Sequence, residues 1–194
     1  MTNEIYVSID IEADGPIPGQ NSMLSLGAAA FRLGDRTPIS TFDYNLQPLP
    51  EATSDPDTMA WWDTQPEAWA AATLMACKPE HVMEQFVKWL RGLPGKPVLV
   101  GFPVTYDFMF VYWYTIKFTG FPAPFGFQGL DLKTMAALTL GIPFREATKR
   151  NMPKRWFEGC PKHTHQALDD AIGQGILFIN LMTDHQSRNN PDTH

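Results

Sequence analysis

The chain has 194 residues, 44% of them hydrophobic and 19% charged, with a net charge of −6. That length suits one domain with a substantial core, and the acidic balance argues against a protein that coats duplex nucleic acid through a field of Lys and Arg. No apolar run approaches the roughly 18 residues of a membrane span, Met1-Thr2-Asn3-Glu4 lacks the basic region of a signal peptide, and Cys77 and Cys160 form neither a disulfide framework nor a metal pair; a soluble, cytoplasmic protein with two free thiols is expected.

Ile5, Val7, Ile9 and Ile11 alternate with Tyr6, Ser8, Asp10 and Glu12, the period of two that marks a strand with two chemically different faces. A Gly/Pro-rich turn over Asp14 to Asn21 leads to a second strand, Met23 to Arg32, and a third, Pro38 to Leu46, and the three are expected to form a meander. Asp57 to Thr73 reads as partly helical, and Pro79, at a first-turn position, opens a helix that ends near Gly92. Lys96 to Gly101 is a short buried strand. Thr105 is the expected cap of the next helix, which carries Asp107 and the aromatic run Phe108 to Tyr114. That run is the bulk a helix needs to pack on a sheet. Leu130 to Gly141 reads as a short strand and helix. The last helix starts beside Thr164 or His165, because Leu168, Ile172, Gly175/Ile176 and Ile179 recur at helical spacing. The pattern predicts an α/β fold, a mixed sheet flanked by helices, with one domain over residues 1–184 and a polar, flexible tail over 185–194.

Four acids stand out: Asp10, Glu12, Asp107 and Asp170, far apart in sequence but each inside an apolar segment. Carboxylates gathered in a fold repel one another and lose hydration, and divalent cations are the usual remedy. Residues two apart on a strand point the same way, so Asp10 and Glu12 share a face. A D-x-E pair alone is a weak signal, often mere solvation of an exposed sheet face. The segment His165-Gln166-Ala167-Leu168-Asp169-Asp170-Ala171 is far more specific: H-x-A-L-x-D-A arises by chance in such a chain on the order of once in several thousand.

Together with Asp10-Ile11-Glu12 and Asp107, that segment resembles the DEDDh branch of the DnaQ-like 3′-to-5′ exonucleases, over about residues 4–182 and with the motifs in the expected order. The strand at Gly27-Ala28-Ala29-Ala30-Phe31 is similar too. The resemblance implies a ribonuclease H-like mixed five-stranded sheet. It also implies two Mg²⁺ or Mn²⁺ ions held by Asp10, Glu12, Asp107 and Asp170, with His165 as general base. Hydrolysis of a phosphodiester needs an activated water, a stabilised leaving oxygen and neutralised phosphoryl charge, which two ions and a neutral imidazole supply together. Histidine's reference pKa of about 6.5 suits a base at neutral pH, so the rate is expected to fall with acidity.

Asp169 rivals Asp170 as ligand, but the motif spacing selects Asp170; His163 is a weaker candidate base. The run Gly101-Phe102-Pro103-Val104-Thr105-Tyr106-Asp107 departs from many relatives, which place an Asn shortly before the acid, so Thr105 or aromatic packing would hold the terminal nucleotide instead. Trp61 and Trp62, ahead of Gln65, resemble a segment of a bacterial exoribonuclease group in this superfamily; one is expected in the core and one facing the cleft. The loop after the first strand, Asp14-Gly15-Pro16, brings backbone close to the same pocket, and family position makes Met23 and Leu24 a wedge against the terminal base. Arg145, Lys149, Arg150, Lys154, Arg155 and Lys162, six of the fifteen Lys and Arg, flank His165 as a phosphate-guiding rim or as an ordinary solvated loop.

The expected function is metal-dependent 3′-to-5′ exonuclease action on single-stranded or overhanging ends, leaning toward RNA. Its partners would be single-stranded RNA or DNA 3′ ends and no membrane, and a homodimer is compatible with the chain. A phosphodiesterase for dinucleotides or nucleotide caps and a non-catalytic nucleic-acid-binding module are the alternatives.

Overall fold

In the computed structural model, which describes residues 3–120, 122–162 and 164–189, the opening alternation becomes β1 (Glu4–Ala13). It pairs antiparallel with β2 (Met23–Phe31), which pairs antiparallel with β3 (Ser40–Asn45). On its other side β1 runs parallel to β4 (Lys96–Gly101), and β4 to β5 (Gly129–Asp131), giving the order β3-β2-β1-β4-β5. This is the mixed five-stranded sheet the resemblance implied.

Parity along the strands assigns the two faces. Ile5, Val7, Ile9 and Ile11 of β1, with Ala28 and Ala30 of β2, pack under α3 (Pro79–Gly92) and α4 (Val104–Thr119), whose Phe86, Leu90, Phe110 and Tyr114 are buried there. The opposite face, through Ala29, Phe31 and Val100, meets α5 (Leu132–Leu140) and α6 (Ala167–Asn189). Phe31 and Phe178 are fully buried, and each such side chain contributes roughly 1.5–3 kcal/mol. All of β2 is buried, because helices cover it on both faces.

Two glycines let α6 settle. A Cβ at Gly27 would overlap the backbone of Ala167 and Leu168, and one at Gly175 would overlap the Phe31 ring. Gly27 is also the register partner of Asp10, so the bare backbone lies beside that acid and the first turn of α6 is seated over it.

The structure refines one expectation and corrects others. The segment over 57–73 is two helices, α1 (Pro56–Trp62), capped by Asp55, and α2 (Pro66–Thr73), because Asp63 to Gln65 leave the helix and Pro66 starts a new one. Thr105 does not cap α4. It lies within the first turn, and Asp131 at the end of β5 does part of that work: its Oδ2 accepts from the Val104 amide at 3.1 Å while its Oδ1 caps α5 at the Thr134 amide. The last helix runs past the expected boundary at 184 to Asn189, with Arg188 donating to Asp184 one turn back; residues 190–194 lie outside the described residues. Three 3₁₀ turns, Phe144–Glu146, Lys149–Asn151 and Lys154–Phe157, order the basic segment, which is anchored by the buried Trp156. Among the described residues no helix is long and apolar enough to cross a membrane.

Candidate active site

Because β4 runs parallel to β1, its end delivers the start of α4 beside the end of β1, and Asp107 in the first turn of α4 reaches across. Its Oδ1 accepts from the Ile11 amide at 3.2 Å, between the two β1 acids. From the opposite face α6 supplies Asp170, buried like Asp107. Before that helix, His165 adopts a left-handed backbone, φ 54°, an uncommon conformation for a side-chain-bearing residue and one in which histidine is enriched. Donor atoms of Glu12, His165 and Asp170 lie within 4.8 Å of one another. Residues from β1, α4, α6 and the turn before α6 therefore converge on one place.

Their electrostatics record the crowding. Burial, then the charges of Asp107, Glu12 and Asp170, push the Asp10 carboxyl well above the usual carboxylate range, with Lys149 opposing. Burial and the neighbouring Asp170 and Asp107 push Glu12 up to about 8. Burial raises Asp107 to about 7, against the amides that hydrogen-bond to it. Such a cluster favours a bound cation, and a donor set of carboxylate oxygens with one imidazole suits Mg²⁺ or Mn²⁺.

Asp169 turns away from this cluster: half-exposed, it accepts from Thr164 Oγ1 at 3.1 Å and faces Asp43, whose carboxyl is raised by burial and by Asp169. His163 lies outside the described residues. One residue absent from the sequence reading joins the site. Gln174 Nε2 donates to Asp10 Oδ1 at 2.6 Å, the Gln174 side chain buried and Asp10 half-buried between β1 and α6. Its signal was available in the spacing, since Gln174 follows Asp170 by four and so shares its helix face.

The surrounding candidates divide. Trp62 is buried, its Nε1 donating to the Ala13 carbonyl at 3.0 Å, whereas Trp61 is 40% exposed and meets the His165 ring edge-on, with centroids 5.3 Å apart. Lys149 is exposed over the Phe102 ring and close enough for its charge to act on Asp10. Arg150, Lys154 and Thr105 are exposed. Arg155 departs from the expected rim: it forms a two-pronged pair with Asp184, at 3.0 Å through each nitrogen, and ties the basic segment to the far half of α6.

Asp14 is buried and structural, accepting from the Ser22 amide at 2.6 Å and from Ser54 Oγ at 3.0 Å, and Gly15 is packed against Asn21 with its carbonyl accepting from Tyr106. Met23 and Leu24, expected as a wedge, are 0% and 1% exposed. The strand they open is covered on both faces, and the Met23 amide donates to Tyr114 at 2.7 Å, so they present no surface to a nucleotide here.

Comparisons with known proteins agree with this geometry. Residues 5–181 match the model of the 3'-5' exoribonuclease Rv2179c-like domain. The 3'-5' DNA exonuclease Cap18 of Escherichia coli is 34% identical over 191 residues, 90% of each chain. The nuclease domain of 3'hExo, described as a DEDDh family member bound to rAMP, superposes with a TM-score of 0.69 at 12% identity, covering 93% of this chain and 92% of that one. S. pombe Pop2p in its Mg²⁺ and Mn²⁺ bound form superposes with a TM-score of 0.67 at 14% identity, covering 92% and 82%. With the family model spanning nearly the whole chain and the acids and histidine brought together in the fold, this protein belongs to the 3'-5' exoribonuclease Rv2179c-like family.

Proposed function

We propose that this exonuclease is metal-dependent and removes nucleotides one at a time from single-stranded or overhanging 3′ ends, with RNA as the first substrate. The observation that carries the reading is the convergence of Glu12, His165 and Asp170 donor atoms within 4.8 Å, walled by the half-buried Asp10 and the buried Asp107. Asp10, Glu12, Asp107 and Asp170 would hold two divalent ions, Mg²⁺ or Mn²⁺. Bound there, the ions supply charge neutralisation at the phosphoryl oxygens and acidify the attacking water.

The remaining work falls to the chain's own groups. His165, neutral, takes a proton from the attacking water at a ring nitrogen. Trp61, exposed beside it, offers an indole face to the terminal base, a contact that tolerates any base because each has a π-face. Lys149 meets phosphate oxygens at the rim, where its charge already acts on Asp10. Arg150 and Lys154 extend that rim, and Thr105 flanks the 3′ nucleotide. The cytoplasm suits two free thiols, Cys77 and Cys160.

A second reading, DNA as the preferred polymer, is favoured by the name of the E. coli relative, a DNA exonuclease. Incubating 5′-labelled single-stranded RNA and DNA with Mg²⁺ or Mn²⁺ separates the two. Stepwise shortening from the 3′ terminus, faster on RNA and lost in Asp10→Ala and His165→Ala, is the expected result. Faster shortening of DNA would replace the polymer assignment, and activity retained in both variants would overturn the site.

A further inference from the structure

Gln174 is unusual among the residues buried under α6. It is 6% exposed, it is one of the few polar side chains along an otherwise apolar stretch of helix, and its amide nitrogen is committed to Asp10 Oδ1 at 2.6 Å. An amide nitrogen only donates, and with Nε2 on Asp10 Oδ1 the amide oxygen faces the other way. The other end follows from that: Gln174 Oε1 is turned away from Asp10 and has no hydrogen-bond partner among the described residues. It borders a cavity of about 200 Å³, which Lys149, Cys160, Asp170 and Gly173 also line.

Burying an amide carries a desolvation cost that an apolar side chain does not, so the arrangement is hard to account for as packing alone. A leucine or methionine would fill the same space against Leu177 and Phe157 without that cost. What only an amide provides here is a donor aimed at one oxygen of Asp10. Asp10 itself is on a strand, and its nearest sheet neighbour, Gly27, has no side chain to steady it. The carboxylate can rotate unless something holds it.

We infer that Gln174 is the positioning residue for Asp10: by holding Oδ1 it presents the second carboxylate oxygen to the cation site, and thereby sets the protein's affinity for divalent metal. The inference rests on the metal reading of the proposed function. Gln174 is a positioning residue and not a catalytic one, because its hydrogen bond reaches Asp10 and acts on the cation site only through it. Hydrogen-bond partners of metal ligands contribute about 10–100-fold in metal affinity, which is the size of effect expected.

The test is calorimetric titration of Mn²⁺ into the metal-free parent, Gln174→Met and Gln174→Asn. The first variant keeps length and removes the donor; the second keeps the amide one methylene too short, and stays informative if the first fails to fold. Thermal melting of each metal-free protein accompanies the titration. The expected result is a Kd for Mn²⁺ raised about tenfold or more in the folded variants, with activity restored toward the parent's kcat at saturating Mn²⁺. A Kd within twofold of the parent's overturns the role of Gln174 while leaving the metal site standing. A parent that takes up no Mn²⁺ overturns both, so the parent titration tells the two failures apart.

Discussion

Asp10 and Asp107 stand in the packed half of the molecule, on a central strand and a buried helix turn, and each is held by a hydrogen bond from a group that the fold itself fixes. His165, Trp61 and Lys149 stand on the other rim, on a left-handed turn, a two-turn helix and a short 3₁₀ turn, held by an aromatic edge and a cation over a ring. The difference is one of what each wall must do. The acids must be gathered against their own repulsion, which only a rigid scaffold can impose, whereas the proposed base and nucleotide contacts would have to meet a substrate that arrives and leaves.

The largest expected effect comes from relieving the acid wall. Asp10→Asn should lower activity below about a thousandth of the parent's, since it removes a charge the reaction depends on. The same change should raise the melting temperature of the metal-free protein. The pH dependence has the matching sign. Glu12, raised to about 8 in the folded chain from an ordinary value near 4.5, keeps a proton that the unfolded chain releases. Its contribution to stability is therefore complete below about 4.5 and is lost as pH rises toward 8. Metal-free protein should melt lower at pH 8 than at pH 6, and added Mn²⁺ should raise the melting point more at pH 8. A melting temperature that climbs from pH 6 to 8 without metal would break the contrast.

A substitution that moves one wall relative to the other comes next. Gly27→Ala places a methyl group into the backbone of Ala167 and Leu168, so α6 must shift with Asp170 and Gln174 on it. The expected cost is about a hundredfold in kcat, together with roughly 1–3 kcal/mol of stability in chemical denaturation. Unchanged kcat would mean that the seat of α6 does not set the site.

The adjacent tryptophans sharpen the comparison within a single helix. Trp62→Ala, on the buried side, should cost about 3–5 kcal/mol of stability. Trp61→Ala should leave the melting temperature nearly unchanged and cost about 1–3 kcal/mol in binding of a single-stranded oligonucleotide to protein without metal. Equal effects on stability would contradict the assignment of the two rings. The smallest effects belong to the basic rim. Lys149→Ala should reduce the salt dependence of oligonucleotide binding by about 0.7 in the log–log slope, one phosphate contact on a single strand, whereas Arg155→Ala should leave it unchanged. Arg155 is already occupied by Asp184.

This contrast also explains what the sequence displayed. The strand alternation at Ile5 to Glu12, the Pro79 start of α3 and the bounds of β4 were legible because each is dictated by local spacing or by a single punctuating residue. The acids and His165 were legible through motif order. Gln174 was legible only as a residue on the helix face of Asp170; its bond was hidden, because an amide inside an apolar helix announces no partner and this partner lies 164 residues away. Arg155 read as free charge because nothing local indicates that Asp184, a full helix later, turns it aside. Asp131 concealed its service to α4 in the same way: its role at Val104 exists only once β5 lies beside β4. Met23 and Leu24 were assigned by family position, and strand burial on both faces overrode that position.

The proposed function requires the acids of β1, α4 and α6 to act as a cation cage. Diffraction from crystals soaked in Mn²⁺, recorded at a wavelength where manganese scatters anomalously, tests this directly. The predicted result is anomalous density among the carboxylate oxygens of Asp10, Glu12, Asp107 and Asp170, absent in Asp10→Asn crystals. Soaked crystals with no density among those oxygens, in a protein that still shortens single strands, would contradict it.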